Sequence, residues 1–258
     1  MESNEQKYTR NELIAAMASR LIEDRKTVFV GVGLPVIAAS LAQKLHAPHL
    51  TMIFEGGSIG AQIRSEYVPF STNEARVTCE AFMLTSTSDI FLFQQRGFID
   101  CAVIGCAQID KYGNVNSSLI GTQEKPKVRL PGSGGANDIA SAASNIIIVT
   151  THEKRKFVEK VDFITSPGYI NESISRKEAG LLFGRVYKIV TDLAELHFDK
   201  RDKKMVLDAI HPGVTVDYVI NNTGFELAIP KKVKITKSPT KRELDALRTL
   251  DPERRYIA

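Results

Sequence analysis

The chain is poor in cysteine, and the three it has, Cys79, Cys101 and Cys106, are odd in number and show no CxxC spacing. That excludes a disulfide framework, suggests no zinc site, and fits a reduced cytoplasmic setting with small buried thiols. Long apolar runs are missing too: none approaches the roughly 18 to 20 residues of a membrane span. The opening stretch MESNEQKYTRNE is polar and carries no signal-peptide core, so cytoplasmic localisation is expected, with no membrane association. An excess of one charge is also absent. With 34 basic against 30 acidic side chains the net charge is +4, and no basic stripe marks a nucleic-acid surface. Several catalytic signatures fail to occur: the nucleophile elbow G-x-S-x-G, the zinc motif H-E-x-x-H, and a Walker Gly-Lys-Ser/Thr. His46 and His49 flank Ala47-Pro48, and the proline spoils a helical metal pair, so no metal is expected.

What is present is ordinary soluble composition, 43% hydrophobic and 25% charged, over 258 residues. Thr9-Arg10-Asn11-Glu12 reads as a capping box, and Leu13, Met17 and Leu21 follow at helical spacing, predicting a helix over roughly 10–24. The β-branched run Thr27–Val32 predicts a strand buried on both faces. It breaks at Gly31-Val32-Gly33-Leu34-Pro35 and continues as a helix over 36–45. A second strand is expected at 50–54, a helix at 82–96, and a third strand at 101–109. A further helix ends near Ser144, ahead of a strand at 145–151. Toward the end, 194–207 reads as a hairpin around the charged turn Asp199–Lys204, and 242–250 as a final helix. Short apolar runs alternating with helices imply an α/β fold: an open, largely parallel central sheet with helices on both faces. The chain reads as one domain over 1–258, less regular from about 194.

Ligands of open α/β sheets sit at the carboxyl ends of strands, and three unusual loops are expected there. Glu55 follows Leu-Thr-Met-Ile-Phe and precedes Gly56-Gly57, which displays a carboxylate at the rim of the sheet, although any tight turn tolerates the same residues. Gly132-Ser133-Gly134-Gly135-Ala136-Asn137 ends where a helix begins. Its side-chain-free amides could form an anion or oxyanion site, or serve as a connector. Gly31 and Gly33 lack the third glycine of a dinucleotide fingerprint, so their loop reads as structural. Gln108-Ile109-Asp110 and Asn114-Val115-Asn116 read as turn chemistry, and Lys154-Arg155-Lys156 as a solvated face.

Read in order, VGVGLPVIAASLAQKLHAPHLTMIFEGG, GCAQIDKYGNVNSS, KPKVRLPGSGGANDIA and HEKRKFVEKVDFITSPGY resemble the B subunits of class I coenzyme A transferases of the glutaconate type. The likeness spans nearly the whole chain and is weakest over Ser58–Phe98, where this chain is shorter. The resemblance implies a fold shared with sugar-phosphate isomerases and a ping-pong transfer of CoA between carboxylic acids, with Glu55 carrying CoA as a glutamyl thioester. It further implies that Gly134 and Gly135, with Asn137, bind the oxyanion and CoA, and that Gln108, Gly31 and Gly33 are weaker candidates for a second donor set. CoA enters as substrate and covalent intermediate, with no tightly bound cofactor. The implied partner is an A-type subunit in a hetero-oligomer of A/B pairs. Two alternatives stay open: a CoA-thioester hydrolase of the same fold, and a non-catalytic ligand-binding subunit.

Overall fold

A computed structural model describes residues 8–64, 68–181 and 183–258, which leaves the polar segment Met1–Lys7 outside the described residues. The chain begins with α1 (Arg10–Arg20), β1 (Thr27–Val30), α2 (Leu34–Leu45) and β2 (Thr51–Ile53). There follow β3 (Ser58–Ile59), β4 (Met83–Leu84), α3 (Thr87–Gln95), β5 (Cys101–Gly105), β6 (Gln108–Asp110), β7 (Val115–Asn116), β8 (Leu119–Gly121) and β9 (Pro126–Arg129). The remaining elements are α4 (Ala136–Ala142), β10 (Asn145–Val149), β11 (Phe157–Val158), β12 (Val186–Val190), β13 (Ala194–Phe198), β14 (Met205–Ile210), α5 (Val216–Asn221), β15 (Lys234–Ile235) and α6 (Lys241–Leu250).

Ten strands form one sheet in the order β15-β14-β13-β12-β10-β5-β1-β2-β3-β4. From β12 to β2 every neighbour is parallel, while β13, β3 and β4 each pair antiparallel to their inner neighbour. The central strands are buried on both sides because successive residues feed two cores. Val28, Val30, Val103 and Ile147 pack with α1, α2 and α6. Phe29, Ala102, Ile104, Ile146 and Ile148 pack on the opposite face with Ile90 of α3, Ile139 of α4 and Val219 of α5. The expected open, largely parallel sheet with helices on both faces is therefore found. The chain runs from β1 outward through β2, then returns to β5 on the other side of β1, so the strand order reverses between β1 and β5. A crevice opens outside the carboxyl ends of strands at such a reversal.

Several boundaries differ from expectation. The span 82–96 is not one helix: Met83 and Leu84 pair with Ile59 and Ser58, and α3 starts only at Thr87. The physical reason is a capping box, in which Ser86 accepts from the Asp89 N–H and Asp89 reaches back to Ser86. The expected strand 101–109 is two. β5 stays in the main sheet, while β6 joins a separate sheet with β7 and β11. The opening helix stops at Arg20, where the Leu21 and Ile22 N–H groups turn back to Ala18 and Ser19. Among the described residues β4 ends the main sheet with one side unpaired, and Phe82, Met83 and Leu84 there are 71%, 43% and 63% exposed. The hairpin expected around Asp199–Lys204 is β13–β14.

Candidate active site

Glu55 stands on the tight turn between β2 and β3. The Phe54 N–H donates to the Ser58 carbonyl at 2.9 Å, and the Gly57 N–H donates to the Phe54 carbonyl at 3.0 Å. Both glycines after Glu55 are required by close approach. A Cβ built on Gly57, where φ is +104°, would lie 1.9 Å from the Thr85 carbonyl oxygen. One on Gly56 would lie 2.8 Å from the Thr72 carbonyl oxygen. The chain before α3 and the loop at 72–73 thus close over the turn and fix it. The Glu55 side chain is half-buried, and among the described residues its carboxylate has no hydrogen-bond or ion-pair partner.

The glycine loop comes to Glu55 from the other direction. β8 and β9 form a two-stranded arm, and its ladder continues inward as Leu130 N–H donates to Ser118 at 3.0 Å and Gly132 N–H to Ser117 at 2.8 Å. Ser133 then ties the start of α4, its carbonyl accepting from Ala136 N–H at 2.9 Å and its hydroxyl from Asn137 N–H at 3.2 Å. The N–H groups of Gly134 and Gly135 have no protein acceptor among the described residues. A Cβ on Gly135 would lie 3.1 Å from the Glu55 carboxyl carbon and 2.5 Å from Cζ of Phe91, whereas one on Gly134 would meet open space. Gly135 therefore packs directly against the Glu55 carboxyl group. Gly134 is needed for a different reason, its φ of +48°.

The other expected residues are placed differently. Asn137 is exposed in the first turn of α4, its amide oxygen accepting from Ser141 Oγ at 3.3 Å. The Gly31 N–H donates to the Val103 carbonyl at 3.1 Å, extending the β1–β5 pairing, so that amide is already engaged. Gly33 has φ +86° and caps α2, with Tyr256 beside it. Gln108 is buried, and its amide oxygen accepts from Asn116 Nδ2 at 2.6 Å and from the Asp162 N–H at 3.4 Å. Asn116 in turn accepts from the Ser118 N–H at 2.9 Å. Gln108 thus belongs to the polar foundation of the arm. Asp110 and Asn114 are turn chemistry: Asp110 accepts from the Tyr112 and Asn114 amides, each at 3.0 Å.

Two residues of the site carry no signal of their own in the sequence. Phe91 of α3 lies on Gly135 and stacks on Phe29 with ring centroids 6.3 Å apart. Gln94, one turn later, donates to the Asp138 carbonyl at 2.9 Å and holds α3 to α4. Both fall inside a segment whose helix starts later than its residue pattern suggests.

Two of the three cysteines offer no competing nucleophile. Burial pushes the Cys106 thiol up to about 11 and the Cys101 thiol to about 12, which leaves neither as a thiolate near neutral pH. Among the described residues no group of three His, Cys, Asp or Glu side chains could hold a metal ion, and no helix is long and apolar enough to cross a membrane. A groove of about 610 Å³ lined by Tyr169, Arg185, Tyr187, His197 and Lys203 lies on β12 to β14 and includes none of the residues around Glu55.

Residues 11–222 match the Coenzyme A transferase family. The chain is 38% identical to the B subunit of 3-oxoadipate CoA-transferase from Pseudomonas knackmussii, over 95% of this chain and 94% of that one. It is 37% identical to the B subunit of glutaconate CoA-transferase from Acidaminococcus fermentans, over 97% of this chain and 95% of the other. The crystal structure of that glutaconate enzyme superposes with a TM-score of 0.90 over 98% of both chains at 35% identity. With the sequence, the fold and the relatives agreeing over the same span, the chain belongs to the coenzyme A transferase family as a class I, B-type subunit.

Proposed function

We propose that this subunit moves CoA between carboxylic acids by a ping-pong reaction through a glutamyl-CoA thioester on Glu55. The observation that carries the reading is the Glu55 carboxylate packed against Gly135, beside two amides, with none of the three paired among the described residues. The carboxylate attacks the acyl carbon of an acyl-CoA, giving a mixed anhydride and releasing CoA thiolate. The thiolate then attacks the glutamyl carbonyl, forming the thioester and expelling the first acid as its carboxylate. A second carboxylate attacks the thioester carbonyl, and CoA thiolate returns to the new acyl carbon, regenerating Glu55. Each step exchanges one activated acyl bond for another. Each also passes through a tetrahedral oxyanion, for which the Gly134 and Gly135 N–H groups are the donors at hand. A donor of this kind contributes about 3 kcal/mol to such a transition state.

The acids exchanged are small or dicarboxylic, glutaconate among them, and the working enzyme is a cytoplasmic hetero-oligomer with an A-type subunit. The relatives are each named as one subunit of a CoA-transferase, which supports the need for a partner. The chain alone should be inactive and gain activity on mixing with an A-type subunit.

The intermediate can be trapped. Incubating the assembled enzyme with an acyl-CoA and no acceptor acid should leave CoA on Glu55. Borohydride reduces thioesters and spares carboxylates, so it should convert that side chain to an alcohol and inactivate the enzyme. Acceptor acid added first should protect, and peptide mass analysis should place the change in the segment holding Phe54-Glu55-Gly56-Gly57. Brisk transfer between acids with no adduct at Glu55 would put the carrier elsewhere. An adduct that water discharges without any acid would mark a hydrolase.

A further inference from the structure

We propose that the β8–β9 arm is the phosphate grip of the CoA site, with Lys127 and Arg129 holding the diphosphate and 3′-phosphate while Glu55 reacts with the sulfur. This rests on the CoA-transfer reading above. The arm is continuous in chain with the glycine loop that touches Glu55, its pairing running from Gly132–Ser117 through Arg129–Leu119 to Pro126–Gly121 with one bulge, at Lys127. It is anchored at its base, where Ser117 Oγ donates to the Gly132 carbonyl at 2.8 Å, and at its outer end, where Gly121 N–H donates to Asp162 at 2.8 Å.

Its outer strand reads Lys125-Pro126-Lys127-Val128-Arg129, and the three cations are exposed. None has an anionic partner among the described residues. In another basic run, Lys154-Arg155-Lys156, Arg155 is paired with Glu153 at 2.6 Å, and Lys156 donates to the Thr151 hydroxyl at 2.7 Å.

Reach agrees with the assignment. At about 3.3 Å per residue, Arg129 and Lys127 stand roughly 10 and 17 Å along the strand from Gly132. About thirteen bonds separate the CoA sulfur from its nearer phosphorus, an extended span of roughly 15 Å at about 3.5 Å for every three bonds. A bulge leaves Lys127 unpaired between the Ile120–Val128 and Gly121–Pro126 pairs, and Lys127 and Arg129 stand about 7 Å apart along the strand, so each can take a separate phosphate. A guanidinium and an ammonium suit this task, one as a planar fork and one as a point charge.

The test uses this chain co-expressed with its A-type subunit and compares one acyl group carried on CoA with the same group on pantetheine, which has no phosphate. In the double variant Lys127→Glu, Arg129→Glu, KM for the acyl-CoA should rise about tenfold, the scale of losing two exposed charge pairs. KM for the acyl-pantetheine should stay put, and the salt dependence of KM for the acyl-CoA should flatten. An unchanged KM for acyl-CoA, or an equal rise with both carriers, overturns the grip. A wild-type complex that transfers no CoA overturns the functional reading, and the grip with it.

Discussion

A carboxylate that is to attack an acyl carbon has to be reachable, rigidly placed and uncommitted to any cation. Glu55 meets these conditions because Gly56 and Gly57 let two neighbouring segments clamp its turn while nothing pairs with its side chain among the described residues. Glu55→Ala should abolish transfer in a folded protein. Glu55→Asp withdraws the oxygen by more than an ångström, and steady-state assays should show a loss of about a hundredfold. The glycine loop gives a finer test. Gly134→Ala puts a side chain at φ +48° facing open space, so its cost is backbone strain of about 1 kcal/mol. Gly135→Ala pushes a methyl between Phe91 and the Glu55 carboxyl, and should lower kcat far more than Gly134→Ala does. Near-normal turnover in both variants would mean the loop is only a connector. In the sequence the two glycines look alike, because a positive φ and a close approach both call for glycine.

A pH prediction also belongs to single residues. His152 is buried between the hydroxyls of Thr191 and Thr223, at 3.1 and 3.0 Å, and stacks on Phe157. Burial, with nearby His211 adding to it, lowers its pKa to about 3, and burial lowers His211 as well. Unfolded, both histidines take up protons below about pH 6.5 while the native state resists. Their effect on stability is thus absent above pH 6.5, and stability falls below it by up to about 1.4 kcal/mol per pH unit for each histidine. Thermal melts from pH 8 to pH 4 should show that decline, with a shallower slope in His152→Phe.

Between elements, α1 and α6 hold each other by their caps. Glu12, the third residue of α1, closes its own capping box with Thr9 and accepts from Arg248 of α6 at 2.7 Å. Glu243, the third residue of α6, does the same with Thr240 and accepts from Arg20 of α1 at 2.7 Å. Burial alone would raise the Glu12 pKa, but the bonds from Arg248 and Thr9 win and hold it below the usual carboxylate range. Glu12→Ala should therefore cost about 1 to 2 kcal/mol in urea unfolding, the scale of a lost cap, because the exposed Arg248 and Arg254 can turn to water when their partner is gone. The Thr9–Glu12 cap was legible, as residues three apart carry it. Arg248 was not, because no local pattern reaches across 236 positions. For the same reason Gln108 and Asn116, which join in the arm's polar foundation, read as separate turns. Arg176 is a further case: this buried side chain donates to the Ala140 and Ser141 carbonyls at the end of α4, and nothing around it in sequence announces that.

Across the molecule, the parallel centre was legible because β1, β2, β5 and β10 are continuous apolar runs punctuated by glycine turns and helices. Glu55 was legible as a rim carboxylate, but its meeting with Gly135 was not, since that depends on how α3 and α4 pack. The antiparallel margin was the least visible part. β3 and β4 are two residues each, too short for any alternation to register. That margin has a practical consequence. A terminal strand that has one side unpaired among the described residues and bare phenylalanine, methionine and leucine side chains is a template on which identical chains add to one another. Produced without a companion polypeptide, this protein should precipitate or elute as concentration-dependent aggregates in size-exclusion chromatography. Met83→Lys should keep it in solution, and full solubility of the unaltered chain at high concentration would show that the edge is harmless.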